Sequence, residues 1–305
     1  MTRFYSNGKL LLTAEYLVLD GATALALPSK YGQTLSVESI EAKISVWESY
    51  DSDGLLWFKA NFSLTDFDFQ LENLSAFSAE IGKKLQLILK EARCLNNSFL
   101  ADAQNYKIVT QLNFKRLWGL GSSSTLINNI AQWAQVDAYK LQFKCFGGSG
   151  YDIACAQHNQ PILYQLQNQK PLVKTIDYHP GFKDHLYFVY LNKKQNSREG
   201  IVRYQSLKGT LINEVSKISN ISKTLVSCNN LADFEALIIE HESIISKLIQ
   251  IKPIKERLFK DYFGAVKSLG AWGGDFILTS GNFDTPNYFK QKGFETVIPY
   301  VEMIL

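Results

Sequence analysis

The sequence predicts an α+β fold with two domains, and three observations support this. The chain has 305 residues, 46% of them hydrophobic, which is enough for two hydrophobic cores. In the first 60 residues, apolar and polar positions alternate in several short segments, which is typical of β-strands joined in hairpins. Residues 201–269 instead carry apolar side chains at helical spacing. Separate runs of strands and helices favour an α+β architecture.

The strand-rich first part of the chain leads into a helix. Strands are predicted at residues 9–12, 25–27, 33–38, 43–47 and 55–58. Between residues 75 and 93, apolar side chains recur every three or four positions, which predicts a helix that covers one face of the sheet. A further strand is predicted at residues 106–114, a helix after residue 122 and a short helix at 137–144.

The second part of the chain begins after a loop region that contains two prolines and one glycine. We expect strands at residues 161–166 and 185–191, and we place a domain boundary between them, within residues 170–184. Residues 1–178 are assigned to the N-terminal domain and residues 179–305 to the C-terminal domain. Helices are predicted at 201–228 (with breaks), 231–251 and 253–269, and strands at 276–279 and 296–300.

Composition and charge exclude several classes of protein. The formal net charge is +3, and Lys and Arg are scattered, so no basic cluster indicates nucleic-acid binding. No apolar stretch is long enough to span a membrane, and the N-terminus lacks the features of a signal peptide. The four cysteines form no CxxC pair, and the four histidines lack metal-ligand spacing. We therefore expect a cytoplasmic protein with reduced thiols that binds neither nucleic acid nor a membrane.

Residues 119–124 form a glycine- and serine-rich loop between a predicted strand and a predicted helix. They are Gly119, Leu120, Gly121, Ser122, Ser123 and Ser124. Glycines let the backbone approach a ligand closely, and the unpaired N–H groups at a helix start attract an anion. The segment therefore predicts a phosphate-binding loop. An ordinary connection in which Ser122 caps a helix would use the same residues, so this segment alone does not decide between the two.

Four segments of the chain, in this order, resemble the motifs of the GHMP kinase family, named after galactokinase and the homoserine, mevalonate and phosphomevalonate kinases. Residues 7–16 (Asn-Gly-Lys, four residues, Ala-Glu-Tyr) resemble the first motif, and residues 119–124 the second. Residues 148–152 resemble the turn that carries the catalytic aspartate of the family, and residues 270–275 the third glycine-rich motif. The resemblance spans nearly the whole chain, and four ordered motifs are more specific than any one.

The resemblance implies a fold, two cofactors and a set of roles. The fold would combine a ribosomal protein S5 domain 2-like N-terminal domain with a ferredoxin-like C-terminal domain. Backbone N–H groups of residues 119–124 would hold the phosphates of ATP, and the Ser123 hydroxyl would bind Mg²⁺. Asp152 would accept or orient the proton of the acceptor hydroxyl. Lys9 would stabilise charge on the transferred group and keep Asp152 ionised.

The resemblance also assigns a group of residues to the acceptor substrate. They are Glu15, Tyr16, Ser197, Arg198, Gly273 and Gly274. Glu15 would order Lys9 or bind near the metal. Arg198 would pair with a carboxylate or phosphate of the acceptor, although an exposed loop arginine explains it equally well.

Local sequence features favour an acceptor of the mevalonate branch. Residues 15–16 are Glu-Tyr rather than Glu-His, and residues 150–154 and 273–275 look like bacterial phosphomevalonate kinases. We therefore expect a phosphotransferase that acts on mevalonate or phosphomevalonate, as a monomer or homodimer. Two alternatives remain open: a kinase for homoserine or a sugar, and a catalytically inactive binding protein of the same fold.

Several positions depart from the family pattern. Asn7 and Ala14 stand where proline and glycine are usual. Leu117 and Trp118 crowd the approach to the second motif, and Trp272 interrupts the third. Trp118, Trp272 and the absence of an acidic metal ligand are the reasons for considering an inactive protein. Residues 138–146 contain no acidic residue to serve as a second metal ligand. Two alternatives are open: Gln142 substitutes for it, or Mg²⁺ is held mainly by Ser123 and the phosphates and keeps its waters.

Overall fold

The fold is described from a computed structural model of the chain. The structure describes residues 1–71, 75–102, 104–193, 202, 204–206, 211–270, 272 and 274–305. Within these residues, no helix combines the length and the apolar character that a membrane crossing requires.

The strands of the described chain are numbered in sequence order. They are β1 (Thr2–Leu11), β2 (Ala24–Ile40), β3 (Ser45–Tyr50), β4 (Leu56–Phe62), β5 (Phe69–Leu71), β6 (Asn105–Leu112), β7 (Ile162–Gln167), β8 (Lys170–Thr175), β9 (Leu186–Tyr190), β10 (Val266–Ser268), β11 (Phe276–Ser280) and β12 (Val297–Pro299). The two strands predicted at 25–27 and 33–38 are one continuous strand, β2.

The α-helices are numbered in the same way. They are α1 (Ala76–Leu95), α2 (Ser122–Ala134), α3 (Ala138–Cys145), α4 (Tyr151–Gln157), α5 (Ile212–Val226), α6 (Leu231–Ile249), α7 (Ile254–Leu258), α8 (Thr285–Gln291) and α9 (Tyr300–Met303). Side-chain caps start several of them: Ser75 accepts from the Ser78 N–H before α1, and Asp137 accepts from two N–H groups before α3.

The chain forms two compact units, each assembled from separate segments. The first unit contains Met1–Gly8, Tyr31–Arg116 and Gly121–Gln157. The second contains Lys9–Lys30, Leu117–Leu120 and His158–Leu305. The mixed helices and strands confirm the predicted α+β class. The boundary predicted at residue 178 stays a prediction.

The first unit is a sheet covered by helices. Its strands follow the order β5, β4, β3, β6 and the second half of β2, with β3 and β6 parallel and the other pairs antiparallel. Its core is a continuous cluster in which Trp47 and Phe62 of the sheet are fully buried together with Leu89 of α1 and Ile127 of α2. This core packs α2, the helix that follows the predicted phosphate loop, against the sheet.

The second unit contains a four-stranded antiparallel sheet in the order β10, β11, β9, β12. Its apolar residues include Val189 of β9, Ile277 of β11 and Phe289 of α8, all buried. The first half of β2 pairs with β7, and β7 with β8, in the same unit.

The prediction of a helix over residues 253–269 was wrong. Only α7 forms there, and residues 266–268 are strand β10. Helix α7 ends at Leu258, and farther along the chain a Cβ at Gly264 would lie 2.2 Å from the backbone oxygen of Ser280. The chain must therefore cross another strand closely at this point, which only glycine permits.

Candidate functional site

The loop predicted to bind phosphate leads directly into α2. Gly121 occupies the N-cap position with φ 91°, and no side chain caps the helix. Ser124 is buried, and its hydroxyl donates to the Gly121 carbonyl at 2.8 Å, whereas Ser123 is exposed. Because no side chain caps the helix, the N–H groups of its first turn can receive an anion.

The entry to the same loop, Leu117–Leu120, is anchored by residues of the second unit. The Tyr190 hydroxyl donates to the Leu117 carbonyl at 3.1 Å, and the Lys9 N–H donates to the Leu120 carbonyl at 2.9 Å. Trp118 packs edge-on against the Phe276 ring, with centroids 5.5 Å apart. Trp118 therefore belongs to an aromatic cluster of the second unit and fixes the approach to the loop.

Gly119 cannot be replaced by a larger residue without a clash. Its φ is +69°, and a Cβ built there would lie 2.3–2.8 Å from the Asp275 carboxylate. Asp275 also has a left-handed backbone (φ 55°), and its N–H donates to the Lys193 carbonyl. The second and third glycine-rich segments therefore meet at Gly119 and Asp275.

Asp152 lies in the first turn of α4, half-buried. This helix packs against α2, and Asn128 of α2 links the two, since Gln157 of α4 donates to the Asn128 side-chain oxygen at 3.1 Å. Asn128 also donates to the Ser6 hydroxyl of β1 at 2.8 Å. The helix with the predicted base and the helix of the predicted phosphate loop therefore share one hydrogen-bond network in the first unit. The sequence indicated a turn here but not the helix α4.

Gln142 of α3 was considered as a replacement for an acidic metal ligand. Its side-chain amide donates to the Gly147 carbonyl at 3.0 Å, and its Oε1 is buried without a hydrogen-bond partner among the described residues. A buried amide oxygen without a partner is one that a cation or water can satisfy. In the described chain, no group of three or more His, Cys, Asp or Glu residues could hold a metal ion.

A stack of aromatic rings and a guanidinium lies just before the loop in the first unit, and the sequence did not reveal it. The Arg116 guanidinium lies 4.6 Å from the centre of the Trp57 ring and 4.9 Å from that of Phe77. Nε1 of Trp57 and Nη1 of Arg116 are buried without hydrogen-bond partners in the described chain, and the Phe77 side chain is exposed. These residues come from β4, α1 and the loop entry, so only the fold brings them together.

Glu15 and Tyr16, predicted to contact substrate, lie inside the second unit. The Glu15 carboxylate is 1% exposed and accepts a hydrogen bond from Lys267 Nζ. Tyr16 is buried and stacks on Tyr204, with ring centroids 5.6 Å apart, and burial followed by the charge of Glu15 raises the pKa of Tyr16 to about 12. Both side chains therefore contact other residues of the second unit.

The remaining predicted substrate residues are only partly described. Gly274 is buried, whereas Gly273, Ser197 and Arg198 lie outside the described residues. Trp272, which interrupts this motif, is buried, and its ring centre lies 5.8 Å from Lys267 Nζ. Trp272 is thus a core residue of the second unit.

Comparison with solved structures gives matches along nearly the whole chain. Mevalonate kinase of Methanococcus jannaschii has a TM-score of 0.70 at 16% identity, with 97% of this chain and 96% of that chain covered. Streptococcus pneumoniae phosphomevalonate kinase in complex with phosphomevalonate and AMPPNP has a TM-score of 0.63 at 17% identity, with 96% of each covered. Lactococcus lactis galactokinase complexed with galactose has a TM-score of 0.65 at 13% identity, covering 95% and 87%.

Comparisons of the sequence alone add no further relative, since no protein-family model and no curated protein match it. These three matches are kinases with different acceptors, and they belong to the family that the four motifs resemble. At these identities the likeness concerns the fold, and over nearly its whole length the chain has the fold of the GHMP kinases.

Proposed function

We propose that this chain is an ATP-dependent small-molecule kinase that transfers the γ-phosphoryl group of ATP to a hydroxyl of mevalonate or phosphomevalonate. The start of α2 carries the proposal: a helix begins at Gly121 with three serines and no side-chain cap, which suits a polyphosphate. Phosphoryl transfer requires positioning and charge neutralisation more than covalent chemistry by the protein. The kinase fold supports the same reading.

Residues 119–124 would hold the ATP phosphates through their N–H groups. Mg²⁺, when bound, would neutralise charge on the phosphates. Ser123 fits as a ligand because its side chain is exposed, and Gln142 fits because its buried Oε1 has no partner in the described chain. Two protein oxygens are enough, because Mg²⁺ keeps several of its waters.

We assign the chemistry of the acceptor to Asp152 and Lys9. Asp152 would accept or orient the hydroxyl proton, a task for which a half-buried carboxylate at the start of a helix is suited. Lys9 would stabilise negative charge on the transferred group. The Lys9 main chain is fixed by its hydrogen bond to Leu120, so the position of its side chain is coupled to the loop entry.

We place the adenine ring of ATP at the stack of Trp57, Phe77 and Arg116. A purine ring stacks well on aromatic faces and on a guanidinium plane, and the exposed Phe77 leaves a ring face accessible. The indole N–H of Trp57 lacks a partner among the described residues and would donate to a ring nitrogen.

For the acceptor we keep the mevalonate branch, which the motif sequences favour. Galactokinase is among the structural matches, so a sugar acceptor is the alternative to be tested. Trp118 and Trp272 no longer argue for an inactive protein, because both are packed within the second unit.

The experiment that tests nucleotide binding is a thermal shift with MgATP. A ligand of the native state at 100 times its Kd stabilises it by about 2.7 kcal/mol, so the unfolding temperature should rise with MgATP concentration. MgGTP is the control for recognition of the nucleotide base, and ADP without metal is the control for the metal. An unfolding temperature that does not change at millimolar MgATP would refute the proposed kinase function.

A further inference from the structure

A network of side-chain hydrogen bonds crosses the interior of the first unit, and none of its members has a role in the proposed reaction. Gln157 of α4 donates to the Asn128 side-chain oxygen at 3.1 Å, and the Asn128 amide donates to the Ser6 hydroxyl at 2.8 Å. Ser6 donates to the Asn129 side-chain oxygen at 2.7 Å, and the Asn129 amide donates to the Gln33 carbonyl at 2.9 Å. The network thus joins α4 to α2, and α2 to β1 and β2.

The two asparagines occupy buried positions of α2. Asn128 is 2% and Asn129 0% exposed, and their neighbours Ile127 and Ile130 belong to the hydrophobic core. A buried amide is costly unless it is hydrogen-bonded, whereas leucine, of nearly the same shape, would pack at such a position without that requirement. What the amides add is geometry, because hydrogen bonds fix distance and direction more sharply than apolar contacts do.

The orientation of Asn128 is determined by the rest of the network. The Ser6 hydroxyl has a single proton, which it donates to Asn129, so Ser6 can only accept from Asn128. Asn128 must therefore turn its amide N–H₂ group toward Ser6 and its oxygen toward Gln157. Asn128 thus holds α4 and β1 at the same time, each through a different atom.

Asn128 contacts α4 one helical turn beyond Asp152. Its amide faces the Ala156 carbonyl at 3.5 Å, in addition to its contact with Gln157. Asp152 and Ala156 are separated by one turn of the same helix, so they lie one above the other on one face of α4. A shift of α4 along α2 would therefore break the contacts of Asn128 and displace Asp152 by the same amount.

We propose that Asn128 is a positioning residue for the transfer reaction: it holds α4, and with it Asp152, in register with the helix whose first turn receives the phosphates. This inference rests on the proposed function for the roles of Asp152 and of the start of α2. The contacts of Asn128 are with protein groups well inside α2, so its loss should change kcat rather than the binding of nucleotide.

Asn128→Leu tests the proposal, because it keeps the approximate shape of the side chain and removes its hydrogen bonds. The assay is ADP release at saturating MgATP with the acceptor that the wild type turns over. We expect kcat to fall about tenfold or more, since a small displacement of a catalytic group has a large effect on the rate. The KM for MgATP should stay within about twofold of wild type, because the N–H groups at the start of α2 remain in place.

Asn129→Leu is the matched control, since Asn129 is the neighbouring residue, has the same side chain and is also buried. Its side-chain hydrogen bonds within the described residues go to β1 and β2. Thr125 still holds α2 to the Gln33 side chain at 2.8 Å in this variant. We expect its kcat to stay within about threefold of wild type. A purely structural role of the network predicts instead that both variants lose activity in proportion to their loss of stability, measured by thermal unfolding.

Amide hydrogen exchange measured without nucleotide gives a readout that does not depend on activity. In Asn128→Leu we expect faster exchange in α4, residues 151–157, with α1 unchanged, and no such change in Asn129→Leu. If Asn128→Leu does not fold, Gln157→Met replaces it in all measurements. Gln157 is exposed, and this substitution removes the donor to the Asn128 oxygen.

A kcat of folded Asn128→Leu within about twofold of wild type would overturn the proposal. Equal losses of kcat in Asn128→Leu and Asn129→Leu would overturn it too, because they would show a general effect of the network. If the wild type turns over no acceptor, the proposed kinase function fails, and the exchange measurement alone decides whether Asn128 holds α4. Unchanged exchange in α4 of Asn128→Leu would then refute the positioning role.

Discussion

Asp152 should be required for turnover but not for nucleotide binding. Asp152→Asn keeps the size of the side chain and removes the base, so turnover should fall by about a hundredfold or more. The thermal shift with MgATP should persist, because the N–H groups of α2 are unaffected. Turnover within a few-fold of wild type would remove Asp152 from the mechanism.

Ser123 should matter through its hydroxyl. Ser123→Ala removes the predicted metal ligand, and we expect a higher Mg²⁺ concentration for half-maximal activity with an unchanged unfolding temperature. Ser216→Ala is the matched control, since Ser216 is also an exposed helical serine. An unchanged Mg²⁺ dependence in Ser123→Ala would exclude the metal role.

At the scale of elements, the entry to the phosphate loop is fixed by a close contact. Gly119→Ala should place a methyl group against the Asp275 carboxylate, in addition to the strain of a left-handed backbone. Gly147→Ala is the control, because Gly147 has nearly the same φ (+67°) but nothing within 4 Å. Strain alone costs about 1 kcal/mol.

We therefore expect Gly147→Ala to lower the unfolding temperature by a few degrees and Gly119→Ala to lower it further and to weaken MgATP binding. Equal effects of the two substitutions, measured by thermal unfolding with and without MgATP, would mean that the contact with Asp275 has no consequence.

The turn that contains Glu15 should make stability depend on pH. The folded pKa of about 7 lies above the ordinary value of 4.5, so the folded protein retains a proton that the unfolded chain releases. The contribution of Glu15 is full below about pH 4.5 and is lost as the pH rises through about 7, by about 3 kcal/mol in total. The free energy of unfolding of wild type should fall more steeply across this range than that of Glu15→Gln. Parallel curves would contradict a raised pKa.

Some elements followed from local sequence and others did not. The periodic segments 75–93 and 231–251 were predicted as helices and match α1 and α6 closely, because their apolar positions repeat over several turns. The segment 253–269 was apolar enough for a helix, yet Gly264 must pass close to Ser280. That constraint comes from a neighbouring strand and cannot be seen in local periodicity.

At the scale of the whole molecule, the order of four motifs was sufficient to predict a mixed α+β fold like that of the GHMP kinases, and the structural matches confirm this much. The S5-like and ferredoxin-like character of the two domains stays a prediction. The contacts of Glu15 could not be predicted, because Glu15 and Lys267 are separated by 252 positions and are joined only by folding. The pairing of Trp57 with Arg116 escaped prediction for the same reason. The domain boundary, the oligomeric state and the acceptor stay predictions.

The central claim, a kinase of the mevalonate branch, is tested most directly by ADP release. Purified protein with MgATP is offered mevalonate, phosphomevalonate, homoserine and galactose in parallel, and Asp152→Asn serves as the blank. We predict ADP release above the blank with mevalonate or phosphomevalonate and none with the other two. Release only with homoserine or galactose would contradict the assigned acceptor, and no release with any acceptor, from protein that binds MgATP, would contradict catalysis by this chain.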